Sequence, residues 1–170
     1  MKKRFTAGVL LAIFTFLFLE TEYLFVNIMG TLSNSQQAVR AQGIVLGTSV
    51  IGFLLYALFY RIKSAFVKRV VTVMFPIVMA VCLFFLYEAD SYAICLFVGC
   101  VVFVLLGLFG SALHYHALFY VGRDSHLALL IGAAYALGLL FQFICNNLVR
   151  SQMIQLIFVF ILFAATVYYL

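Results

Sequence analysis

The sequence predicts an all-α polytopic membrane protein: one domain, 1–170, of six transmembrane helices. Three observations predict it. First, 68% of the residues are apolar and 9% charged, with a mean hydropathy of +1.24. A water-soluble domain of this size needs far more charged surface to keep its apolar patches apart. Second, the apolar residues fall in six runs, about 5–29, 43–60, 70–86, 93–119, 127–145 and 154–170. A bilayer core requires roughly 20 helical residues per crossing, with about 17 the lower limit. Third, the basic residues gather on alternate connections. A closed barrel would alternate strictly over about 10 residues per strand, and stretches such as LLAIFTFLFL and VVFVLLGLFG do not alternate. Helices are the remaining way to satisfy backbone N–H and C=O groups in lipid.

Taken in order, the first run follows Lys2, Lys3 and Arg4 and imitates a signal peptide. It has no small-x-small cleavage site before Glu20, and five more runs follow, so it reads as a retained first helix. Connection 30–42 is polar and weakly charged, as expected of an external loop. Connection 61–69 carries Arg61, Lys63, Lys68 and Arg69; the third run after it contains Pro76, the only proline. That proline removes a backbone donor and is expected to kink its helix. Connection 87–92 holds Glu88 and Asp90, connection 120–126 holds Arg123, and connection 146–153 holds Arg150. Eight of the ten basic residues therefore fall on one side, which the positive-inside rule assigns to the cytoplasm. Both termini are expected there (N-in/C-in), in a multi-pass cell-membrane protein, the inner membrane in a bacterium. The net charge of +5 is explained by this anchoring. The basic tracts are too short and too tied to helix ends to imply a nucleic-acid partner; the partner they imply is the lipid bilayer.

Small residues mark where helices are expected to approach closely. Gly43 and Gly47 form a G-x-x-x-G, Gly132 and Ala136 a small-xxx-small pair, and Gly107, Gly110, Ser111 and Ala112 cluster late in the fourth run. Packing inside one bundle is the preferred reading over a dimer interface. The stretch from Leu46 through Gly52 in the second run and that from Ile131 through Gly138 in the fifth each set two glycines before a Leu pair. They would be equivalent helices of a 3+3 inverted repeat.

Few residues offer chemistry. Glu20 and Glu22 are carboxylates inside a membrane helix, which are costly and tend to face a bundle interior or a wet cavity. Two residues apart, they point about 200° from one another and cannot share a face. The alternatives are a binding or proton-coupling role, Glu20 being the better candidate, or a reach to the outer headgroups. Asn27, Gln142, Asn146 and Asn147 belong to the same depth. A structural polar clamp accounts for that cluster as well as a substrate site does. His114 and His116 are i, i+2, the wrong spacing for a helical metal pair, and with His126 are expected at the water interface. A Ser111–His114 dyad is not excluded by spacing, but the serine sits in a glycine packing cluster. The four cysteines fall inside spans and behave as small hydrophobes. No enzyme activity, metal or cofactor is expected.

The connection from Tyr60 through Arg61, Lys63, Lys68 and Arg69 resembles the basic loop between helices two and three of the major facilitator superfamily. Tyr60 stands where that family has an acid. The run Gly107-Leu-Phe-Gly110-Ser-Ala112 is similar to the family's fourth-helix glycine pattern. The resemblance covers nearly the whole chain and is to the N-terminal six-helix half of that family. It implies a facilitator-like permease moving a small solute, with the loop of Arg61, Lys63, Lys68 and Arg69 gating or anchoring the cytoplasmic side. Family members hold substrate between two six-helix halves. A second unit is thus expected, from a homodimer, a partner membrane subunit, or a longer chain of which this is a part. The alternative is a non-transporting membrane module: a regulator's ligand-sensing domain, or the substrate-binding subunit of a multi-component importer.

Overall fold

The computed structural model describes residues 2–121 and 127–169, all within helices and short turns. The helices are α1 (Lys2–Leu32), α2 (Ser35–Tyr60), α3 (Ala65–Tyr87), α4 (Tyr92–Val121), α5 (Leu127–Leu148) and α6 (Gln152–Tyr169). Each is long and apolar enough to cross a membrane. The shortest, α6 with 18 residues, still spans about 27 Å at 1.5 Å per residue.

Two predicted boundaries are corrected. Most of the expected external loop 30–42 is helix: α1 runs to Leu32 and α2 begins at Ser35. The reason is a cap. Asn34 is extended, and its side-chain oxygen accepts from the backbone N–H of Gln37 at 2.9 Å, which starts a helix whose first turns are rich in the good helix formers Gln, Ala and Arg. Likewise Ser64 caps α3, so Lys68 and Arg69 lie on that helix and only 61–64 turn. Within connection 120–126, Arg123 and His126 lie outside the described residues. Pro76 lies inside α3, which continues through it.

The bundle is organised around α1 and α4, the two most buried helices. α1 touches all the others, whereas α4 takes α1, α2 and α3. α2 lies mainly on α4 and α5 mainly on α1; α3 packs on α4 and α6, and α6 packs on α1 and α3. Tilted and edge-on ring pairs tie these helices together. Phe109 of α4 lies 4.9 Å from Phe163 of α6 and 6.2 Å from Phe14 of α1; Phe163 in turn lies 5.4 Å from Phe75 of α3. Such pairs add about 0.5–1.5 kcal/mol each beyond burial.

Glycine sets the two tightest seams. A Cβ on Gly52 would run into the Val104 carbonyl of α4, and one on Gly107 would run into the Ser49 carbonyl of α2. On the other side, a Cβ on Gly138 of α5 would meet Ala12 and Thr15 of α1. Gly110 is also packed, against Phe14 and Phe53. The expectation that Gly43, Gly47 and Gly132 pack inside the bundle is corrected: nothing lies within 4 Å of their Cβ positions. The seam runs along the face of α2 that carries Ala38, Ala41, Val45, Ser49 and Gly52, and G-x-x-x-G spacing alone does not say which face of a helix is used.

Hydroxyls within the spans bond their own helix. Thr15, Thr21, Thr48, Ser49 and Thr166 each donate to a carbonyl one turn back at 2.7–2.9 Å. Among the described residues no buried side-chain nitrogen or oxygen lacks a partner, as lipid requires.

Candidate functional site

The polar residues of the spans resolve into separate groups, and α1 divides them. Glu20 is fully buried, with 0% of its surface exposed. It faces the far end of α5. The Asn146 amide, with its nitrogen turned toward α1, donates to both carboxylate oxygens at 3.0 Å. The Cys145 thiol also hydrogen-bonds the carboxylate. Gln155, buried at the start of α6, donates to the Val149 carbonyl at 2.8 Å; with the Asn146 nitrogen turned to Glu20, no hydrogen bond joins the two amides. Gln142, one turn before Asn146, donates to the Leu19 carbonyl at 3.0 Å. Helices α1 and α5 are thus joined by a buried polar patch with a carboxylate at its centre, and Gln155 of α6 lies beside it.

Beside the patch, α1, α5 and α6 line an apolar cavity of about 550 Å³, open on its outer side. Phe16, Phe141, Ile144 and Phe158 line it, and Cys145 and Gln155 reach it from the patch. The volume lies within the roughly 300–1,000 Å³ usual for small-molecule sites.

Glu22 belongs elsewhere. Its carboxylate accepts from Gln42 of α2 at 2.6 Å, half-buried on the side opposite Glu20. Asn27 lies one heptad beyond Glu20 on the same face, about 10 Å farther along the axis, and takes no part in the Glu20 hydrogen bonds. Asn147 donates back to the Phe143 carbonyl at 2.7 Å, on the exposed surface. Of the predicted set, the fold brings together Glu20, Asn146 and Gln142, and it separates Glu22 and Asn27 from them.

Sequence reasoning missed Gln155, Cys145 and Gln42 as members of these groups. Gln155 carried a readable signal, an amide inside an otherwise apolar run. Gln42 was hidden because the segment around it was read as a loop.

His114 is part-buried; its Nδ1 pairs with the Gly110 carbonyl at 2.7 Å and its Nε2 with the Tyr135 hydroxyl of α5 at 2.8 Å. Its ring stands edge-on to Phe14 at 5.5 Å. Both ring nitrogens are engaged, so neither is turned to Ser111. His116 lines a different cavity, described below.

At the basic end, Tyr115 of α4 donates to the Tyr60 hydroxyl at 2.8 Å, and the Lys68 ammonium lies 5.9 Å from the centre of the Tyr60 ring. The position where the resemblance expects an acid therefore holds a phenol that ties α2 to α4. Arg61, Lys63 and Arg69 are exposed around it. No family model, no curated protein and no solved structure matches this chain.

Proposed function

We propose that this chain is one half of a solute permease, a six-helix unit with both ends at the cytoplasmic face. A second copy or a partner subunit completes the path of a small solute. The observation that carries this reading is Glu20: a fully buried carboxylate in a membrane helix, held by an amide and a thiol from α5. Ionisable groups at that depth are expensive and are kept mainly where they bind or couple something.

The helix contacts add support. Exchanging α1 with α4, α2 with α5 and α3 with α6 maps the α2–α4 seam onto α5–α1, and α3–α4 onto α6–α1. Gly52 and Gly138 then play the same part, each admitting the backbone of a central helix. So do the hydrogen bonds Glu22–Gln42 and His114–Tyr135, which join the exchanged pairs α1–α2 and α4–α5. This is the pattern a 3+3 inverted repeat produces, and such repeats are common in transporters.

The test is uptake. Proteoliposomes screened against sugars, amino acids and organic ions are expected to accumulate one class, and Glu20→Gln is expected to lower that uptake by about tenfold or more. Absence of uptake across the panel, or uptake unchanged in Glu20→Gln, contradicts the reading.

One observation favours a second reading. The apolar cavity touches Cys145 and Gln155 of the same patch, an arrangement suited to holding an apolar ligand with one polar end. A ligand-sensing or substrate-binding module would bind such a ligand tightly as a monomer, without flux.

A further inference from the structure

A second cavity opens where α2 and α3 diverge, at the basic end of the bundle. Its volume is about 320 Å³. Tyr60, Lys68 and Tyr115 line it on the side of the basic turn, and Phe75, Phe109 and Val167 line its apolar wall. The long axis of these residues thus runs from a cationic, hydroxyl-bearing mouth to an aromatic interior. Only Arg61 to Ser64 and the first turn of α3 bridge α2 and α3 here, and the two helices make little direct contact with one another. The cavity is therefore reachable from the side, through the lipid-facing surface.

Charge makes the mouth selective. Lys68 is the one basic residue in its lining, and the four described carboxylates, Glu20, Glu22, Glu88 and Asp90, all lie toward the opposite end of the bundle. Lys68 is held over the Tyr60 ring, which is itself fixed by Tyr115, so this cation is placed at the mouth, unlike its neighbours.

We infer that this cavity is a binding site for one anionic phospholipid of the adjoining leaflet. Its phosphate meets Lys68 and the Tyr60 hydroxyl, and one acyl chain lies against Phe75 and Phe109. Basic pockets between membrane helices recognise headgroups in this way, and the Tyr60 O–H, left free because Tyr60 accepts from Tyr115, supplies a donor for a phosphate oxygen.

Native mass spectrometry of the full chain, released from mixed phosphatidylglycerol and phosphatidylcholine, tests the assignment. Wild type is expected to retain a single phosphatidylglycerol in preference to phosphatidylcholine. Lys68→Gln is expected to reduce that retention about fivefold, whereas Lys63→Gln, at an exposed position outside the cavity, leaves it unchanged. Thr72→Phe fills the cavity from the exposed side of α3 and is expected to abolish retention without removing a charge. It keeps the test decisive if Lys68→Gln does not fold, as judged by helical circular dichroism and elution volume. Equal retention of the two lipids overturns the inference. So does an equal loss in Lys63→Gln and Lys68→Gln, which would mean diffuse surface charge. Displacement by soluble glycerol phosphate overturns it as well, because the phosphate alone would then be the ligand.

Discussion

At the scale of single residues, the account turns on how one carboxylate survives inside the bundle. Glu20 is satisfied by Asn146 and Cys145, so the partners matter as much as the acid. Asn146→Leu leaves both carboxylate oxygens without their amide donor. It is expected to lower the free energy of unfolding in detergent or bicelles by about 1–3 kcal/mol. Glu20→Gln, which keeps a hydrogen-bonding side chain of the same shape, is expected to be milder in the same assay. Glu22→Gln is expected to change stability by no more than about 0.6 kcal/mol, the average for membrane hydrogen bonds, since Gln42 meets it at a half-buried surface. The sequence made both acids visible, and the 100° step of a helix separated their directions. What it did not contain was the identity of each neighbour. Gln155 comes near Asn146 across the short turn between α5 and α6, a proximity that helical periodicity within either segment does not encode.

At the scale of helices, the difference between packed and open glycines is the sharpest test. Gly52→Ala and Gly107→Ala each press a methyl group into a facing carbonyl and are expected to destabilise the bundle by about 1–3 kcal/mol. Gly43→Ala and Gly47→Ala meet open space and are expected to be neutral or to stabilise by about 0.5–1 kcal/mol through helix propensity. Thermal unfolding of the four variants side by side checks this; equal losses at all four positions would contradict the helix faces described here. All six helices were legible as apolar runs because lipid imposes a minimum length on each. Their ends were less so. Ser35 to Gln42 is polar enough to read as a loop, and only the Asn34 cap and the good helix formers behind it reveal a helix that extends past the hydrophobic stretch. The choice of face on α2 was not legible, because that helix is apolar nearly all round and its seam is defined by what α4 presents.

At the scale of the whole molecule, two asymmetries dominate: cations collected at one end, and two central helices wrapped by four others. The first was readable directly from the alternation of basic connections. The exchange relation among helix contacts was foreshadowed only by the paired glycines around Gly52 and Gly138; the partners of those glycines, α4 and α1, required the fold. The orientation of the bundle underlies both the permease reading and the lipid site. Single cysteines placed at Ser35, Lys63 and Asp90, in a background lacking Cys82, Cys95, Cys100 and Cys145, test it in intact cells with a membrane-impermeant maleimide. The account predicts labelling of Ser35→Cys and Asp90→Cys from outside and of Lys63→Cys only after the membrane is opened. Labelling of Ser35→Cys and Lys63→Cys from the same side would contradict it.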